Sequence, residues 1–276
     1  MSLLKKLMEI DNRILYLLMF VAIIVPMLKP IGLPIPISQY TAEVYNKIED
    51  LDSGSYVIYS MELGISSWPW AGEHFVLTLE HLLSQNLKVI CISFSASGPY
   101  LLEKVIQNLK TTEKVYGVDY VNLGFVSGGE AGMSSFARDA NTLFTTDFGG
   151  TPIEELSILE SFTGANDVSL FLGFTGGTPG ADEYIRQFQA PYEIPVAIGW
   201  CSSGTIPSIA PYIESRQILG AVVDMKGCAE YELLRGKPGP FIAGMDSQSL
   251  VYVLVLSVLI LGNIGFFAEK RSEKNV

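Results

Sequence analysis

The sequence predicts an α/β protein: an open, doubly wound (Rossmann- or flavodoxin-like), mostly parallel sheet carried between two transmembrane helices. Three observations predict it. Six near-continuous apolar runs, within SYVIYSMEL, LKVICISF, DYVNLGFV, DVSLFLGF, IPVAIGWC and ILGAVVDM, alternate with stretches of helical spacing, the pattern of a parallel sheet covered on both faces. Small residues follow the runs, as strand-to-helix turns require. Apolar stretches of bilayer length lie near both ends of the chain, which at 276 residues and 49% apolar has enough material for one core besides.

The first apolar stretch, residues 14–28 (ILYLLMFVAIIVPML), continues through PIGLPIPIS, and a span needs ~20 residues. No small-x-small cleavage pattern follows, so residues 14–37 read as a retained anchor with a proline-rich, extended exit. Residues 250–268 (LVYVLVLSVLILGNIGFFA) read as a second spanning helix, in which Asn263 bonds its own backbone and Gly262 and Gly265 allow close approach to the first. Lys5, Lys6 and Arg13 precede the first anchor, and Lys270, Arg271 and Lys274 follow the second. That bias makes residues 1–13 and 269–276 cytoplasmic and residues 39–247 an extracytoplasmic domain of a two-pass cell-membrane protein. Lys29, Arg235 and Lys237 on the outer side argue the other way, three basic residues against six.

Within the domain, residues 40–51 have helical spacing and stop at Gly54 before the first strand run. The GISSWPWAG loop leads to a helix over HFVLTLEHLLSQN, and the strand–loop–helix LKVICISFSASGPYLLEKVIQNL organises the rest. Further helices follow in EAGMSSFARDANTLF, in ADEYIRQFQ, in a proline-broken stretch ending near Arg216, and in CAEYELL.

In such a sheet the ligand site lies beyond the carboxyl ends of the strands. Those ends carry Ser95 and Ser97, Gly128 and Gly129, Gly176 and Gly177, and Ser202 and Ser203. Backbone amides exposed there before helix N-termini favour a small anionic ligand, while tight turns alone also need Gly and Ser. Glu130, opening a helix in GGEAG, is placed to cap it, with general base as the sharper role. No GxGxxG or GxxxxGK[ST] occurs, so neither a dinucleotide nor a P-loop nucleotide is indicated and no cofactor is expected.

Ser95, in SFSAS, has the small-x-Ser-x-small shape of a nucleophile elbow. The two histidines, His74 and His81, both precede it on one helix, against the usual order of triad partners, and Lys104 is nine residues beyond it. Cys201, in GWCSSG, is the other candidate nucleophile, provided its thiol is activated. Cys91 reads as a buried strand residue, and Cys201 and Cys228 are left as a possible pair that sequence does not establish. The histidine spacing and the absence of CxxC indicate no metal site.

With 18 Lys and Arg against 29 Asp and Glu, the chain lacks the basic field that nucleic acid requires. Trp68 and Trp70 on the loop after the first strand suit lining of the same cleft, contact with lipid headgroups, or contact with a partner, whether a membrane protein or a second copy. The expectation is therefore a bilayer-anchored binding or assembly module for a small anionic ligand or a membrane partner. The alternative is an anchored hydrolase using Ser95 or Cys201.

Overall fold

The structure, a computed structural model, describes residues 11–111 and 113–273. Lys5, Lys6 and Lys274, three of the six basic flanks, lie outside the described residues. Two units are distinguished: residues 36–234, and residues 1–35 with 235–276. The helical unit thus takes in residues 235–247, which the sequence assigns to the domain.

In chain order the elements are α1 (Asn12–Leu28), α2 (Gln39–Glu49), β1 (Tyr56–Met61), α3 (Trp68–Ser84), β2 (Lys88–Ser93), α4 (Gly98–Gln107), β3 (Tyr120–Phe125) and α5 (Glu130–Arg138). There follow β4 (Val168–Phe174), α6 (Ala181–Tyr184), which widens into a π-turn over Ile185–Gln189, β5 (Val196–Cys201), α7 (Ile206–Glu214), β6 (Ala221–Val223), α8 (Asp224–Leu234) and α9 (Pro240–Glu273).

The six strands form one sheet in the order β3-β2-β1-β4-β5-β6, and every pairing is parallel. All six residues of β1 are buried, which explains its unbroken apolar run. Alternate strand residues serve opposite faces. On one, Ile58, Ile92, Phe171 and Ile198 join Met133 and Phe136 of α5, Tyr184 and Phe188 beyond β4, and Ile209 of α7 in one core. On the other, the Tyr59 hydroxyl donates to Phe75 O (2.9 Å) and Phe75 meets Phe174 edge-on at 5.5 Å. The imidazole of His81 joins α3 to α8 and α2 there, bonding the Tyr231 hydroxyl (2.6 Å) and Glu49 (2.9 Å). His74, buried beside it, donates from Nε2 to Gly199 O (2.8 Å).

One expectation changes here. The stretch read as the SSWPWAG loop is a 3-10 turn, Ile65–Ser67, followed directly by α3 from Trp68. Pro69 lies in the first turn, where its missing N–H is no loss. The helix therefore starts six residues before the HFVLTLEHLLSQN pattern.

The expectation of two bilayer-length helices is met by one. Among the described residues, only Pro240–Phe267 within α9 is long and apolar enough to cross a membrane, with mean hydropathy 2.4. α1 has 17 residues, about 26 Å at ~1.5 Å per residue against a hydrocarbon core of ~30 Å. Lys29 is extended because Pro30 follows it, which ends the helix at Leu28. Both helices turn large apolar side chains outward, including Leu17, Phe20, Val25, Tyr252, Leu256 and Phe266.

α1 and α9 are joined through two polar residues. Ser247 Oγ reaches Ile23 O at 3.0 Å. Asp246, fully buried, accepts the N–H groups of Ile31 and Gly32 on Oδ2 (2.7 and 2.9 Å) and of Leu33 on Oδ1 (2.8 Å). Gly32 at φ +76° gives the turn its hand. Asn263 donates to Leu259 O of its own helix, 2.8 Å away.

The Asp246 contact makes a testable prediction. Asp246→Asn replaces one acceptor by a donor facing the three amides, and is expected to destabilise this unit by roughly 3 kcal/mol. Full-length protein in phospholipid nanodiscs should then be cut faster by protease between residues 29 and 38, with a lower unfolding midpoint. Unchanged cleavage and midpoint would show that the carboxylate holds nothing in place.

Candidate functional site

The strand order reverses between β1 and β4, so the loops leaving their carboxyl ends run to opposite faces and leave a crevice. At its floor stands Glu62, the residue immediately after β1. Its own amide donates to Phe174 O (2.8 Å), which fixes it to the end of β4. Its carboxylate receives the Ser60 hydroxyl on Oε1 (2.5 Å) and the Phe94 amide on Oε2 (2.9 Å), with Ser93 Oγ at 3.4 Å. No Lys, Arg or His pairs with it among the described residues. Burial raises its pKa to about 7, and the hydrogen bonds from Ser60, Phe94 and Ser93 offset only part of that rise.

Beside it is Tyr184, fully buried, whose hydroxyl makes no well-formed hydrogen bond among the described residues, with Ser60 and Thr175 as its polar neighbours. Burial pushes the phenol well up and the Glu62 and Glu183 carboxylates add to the rise, while the neighbouring Ser60 and Thr175 hydroxyls work against it. The ring reaches this depth because residue 173 is glycine: a Cβ there would strike Tyr184 Cε2. Gly98 is constrained in the same way, since a Cβ would meet Met61 O and Ser93 Oγ. The turn after β2 is thereby clamped to the end of β1.

Each residue singled out in the sequence has a definite place. Ser95, partly buried, has its hydroxyl 3.2 Å from that of exposed Ser97, and its amide donates to Ser93 Oγ (2.9 Å). Neither histidine serves it, because His74 bonds Gly199 O and His81 bonds Glu49 and Tyr231. Lys104 lies 4.5 Å over the Trp68 ring, and Lys226 pairs with Glu230. Nor is Ser95 among the residues with positive φ, as the strained turn of a nucleophile elbow would have it. Cys201 is fully buried and burial raises its thiol pKa to about 11, the opposite of activation. Cys91, Cys201 and Cys228 are all free thiols.

Gly128 and Gly129, both at positive φ, lead into α5. Its first residue, Glu130, is gripped by Arg186 (Nη2 to Oε1 2.6 Å, Nε to Oε2 3.2 Å) and Gln187 (3.0 Å). Those bonds hold its carboxyl below the usual range, against a role as a base, and tie it to Arg186 and Gln187 rather than to the amides of its own helix. Gly176 lies against Leu63, and the Gly177 amide donates to Thr175 Oγ1 (3.1 Å). The Ser203 amide donates to Asp224 (2.8 Å), while Ser202 precedes the short 3-10 turn before α7 without a side-chain capping bond. Trp68 is half-buried under Lys104, whereas Trp70 is 75% exposed.

Between the ends of β4 and β5 opens a cleft of about 210 Å³ lined by Thr175, Gly177, Asp182, Glu183, Thr205 and Ser208, among others. It shares Thr175 with the crevice floor. Among the described residues, no group of three or more His, Cys, Asp and Glu side chains could hold a metal ion.

The expected strand-end residues therefore do share one edge of the sheet. The amides there are largely taken by the chain's own carboxylates: Phe94 by Glu62, Ser203 by Asp224 and Gly180 by Glu183. Sequence reading missed Glu62, Tyr184 and Asp182. For Glu62 a signal existed, a charged residue directly after a fully apolar strand.

No protein family and no curated protein sequence matches the chain. Among solved structures, it is similar to a trehalose-6-phosphate synthase, OtsA, at 10% identity and a TM-score of 0.32, over 91% of this chain and 49% of that one. The chain thus spans about half the length of that protein.

Glu62 makes the site's stability pH-dependent. Its pKa is raised in the folded state from 4.5 to about 7, so its contribution is complete below about pH 4.5 and is lost as the pH rises through 7. The difference amounts to roughly 3 kcal/mol. Glu62→Gln is expected to flatten the fall in stability between about pH 5 and 8, leaving the variant the more stable protein at pH 8. Parallel stability curves for the two proteins, followed by denaturant unfolding, would show that Glu62 titrates normally.

Proposed function

We propose that the chain is a membrane-attached α/β binding module that takes a small polar ligand at the carboxyl ends of its strands. The observation that carries this reading is the pairing, among the described residues, of Glu62 without a counter-charge and Tyr184 without a well-formed hydrogen bond at the β1/β4 crevice. Buried polar groups are ordinarily satisfied, and convergent ones in a crevice mark a ligand position. A small anion remains a ligand to test at those turn amides that no side chain of the protein takes, and a membrane protein or a second copy is the alternative occupant beside exposed Trp70. The hydrolase reading is the weaker one, since Ser95 lacks an imidazole and the Cys201 thiol is held protonated.

The apolar outward faces of α1 and α9 support attachment to a bilayer. We take both helices to insert, α1 by local thinning or by flanking residues that reach the interface. From the basic residues in the flanking sequence we infer that both termini are cytoplasmic and residues 39–247 lie outside. Protease added to intact cells should then remove the domain and spare terminal tags. Loss of both tags with protection of the domain would reverse the orientation.

The ligand site is tested by comparing the full-length parent with Gly177→Phe and Ser95→Ala in a small-molecule thermal-shift screen and an ester-substrate screen. Residue 177 has open space where a Cβ would stand, so phenylalanine should fill the cleft without unfolding the domain and abolish ligand stabilisation. Ser95→Ala should leave stabilisation nearly unchanged. Ester turnover that disappears in Ser95→Ala would overturn the binding reading.

A further inference from the structure

We infer that α9 carries a second packing seam on the side away from α1, and that its occupant is α9 of a second copy of this chain, paired in parallel. The inference rests on the attachment of α9 to a bilayer and is independent of the ligand site.

Ser247, bonded to Ile23 O, marks the side of α9 that meets α1. At about 100° per residue, Leu254 falls on that side and is half-buried. The opposite side carries Tyr252, Leu256, Leu259, Asn263 and Phe266, at spacings of four, three, four and three residues. That alternation is the one by which two helices seat their side chains between one another. The four apolar members are each more than half exposed, and Asn263 is exposed with them. The seam ends with the apolar stretch: the next position is Lys270, whose ammonium lies over the Phe266 ring.

Asn263 sets this face apart from a surface made only for lipid. A carboxamide has two N–H donors and an oxygen acceptor. Among the described residues Asn263 makes one such bond, from Nδ2 to Leu259 O of its own helix. Its oxygen and second N–H are left on an apolar face, and lipid tails satisfy neither. A second copy satisfies both kinds of group. Parallel copies in register set Asn263 against Asn263, so that an N–H of one meets the oxygen of the other. Copies inserted in one bilayer share an orientation, and a parallel two-fold pair is then a closed arrangement. Gly262, beside Asn263, has open space where a Cβ would stand, which lets the two backbones approach. A single polar residue in an apolar seam also fixes register, because a slip of one turn would set the amide against leucine.

The test co-expresses two full-length copies with different tags, washes their membranes with alkaline carbonate and oxidises them with copper phenanthroline. The parent, whose three cysteines are buried, is the blank. Leu256→Cys, Leu259→Cys and Phe266→Cys should each give a disulfide-linked species of twice the chain's mass that carries both tags. Ser257→Cys and Ile264→Cys, exposed at similar depth but off the seam, should give roughly fivefold less. Added to Leu259→Cys, Asn263→Leu should lower the linked fraction roughly threefold, and Asn263→Gln, which keeps the amide, should restore most of it. Leucine is the more apolar residue, so that loss does not come from poorer insertion. Equal yields on and off the seam would mean random collision and overturn the inference. Seam cysteines that link only to other proteins, or to nothing, would rule out the second copy. An unchanged yield in Asn263→Leu would remove the amide pairing on which the choice of occupant stands. Release of the chain by carbonate would overturn the attachment itself, a failure distinct from the other three.

Discussion

A parallel sheet wound on both faces has one place where its winding reverses, and there the loops cannot close over the strand ends. In this chain the reversal falls between β1 and β4, and the rest of the domain depends on it. β1 sits between β2 and β4, so all its residues are buried, and the chain must leave it directly into the crevice. The residue that takes that step is Glu62. Its carboxylate is tied to the turn after β2 and its amide to the end of β4, so one residue joins the three strand ends around the opening. The energetic cost of placing a carboxylate there appears as its raised pKa. Packing alone does not call for a carboxyl group at this position, since Leu63 beside it is buried without difficulty.

The helical unit solves a related problem with another acid. Prolines 30, 34 and 36 cannot donate hydrogen bonds and cannot continue a helix, so the chain beyond α1 leaves its remaining amides without helical partners. Asp246 supplies an acceptor to three of them at once. It does so from within a helix that is otherwise among the most apolar parts of the chain. A charged residue is tolerated there because its oxygens are satisfied by those amides.

Much of the architecture was legible in the sequence because it is written locally. A strand buried on both faces must be apolar along its length, so all six strands show as runs. Glycine and serine at the turns mark the edge where the strands end for the same local reason. The start of α3 was not legible, because Pro69 and two tryptophans resemble a loop until their place in the first helical turn is seen. Asp246 was hidden because its partners are more than 200 residues away in sequence. The length of the first span was misread because apolar residues continue past Pro30 although the helix does not. The site was legible only as an edge: Ser95, Gly128, Gly177 and Ser203 share it, but their amides are partly taken by acids from distant elements. Tyr184 looks like one more aromatic in ADEYIRQFQ until Gly173 is seen to admit its ring.

The central claim is that Glu62 stands in the crevice as a half-buried acid without a counter-charge among the described residues. It is tested most directly by following the side-chain carboxyl carbon of Glu62 by carbon-13 NMR across a pH titration of the full-length chain, with Glu62→Gln identifying its signal. The account gives a midpoint of about 7, well above the ordinary glutamate range of roughly 4. A midpoint in that ordinary range would mean that water or a cation reaches the carboxylate freely, and would contradict the account.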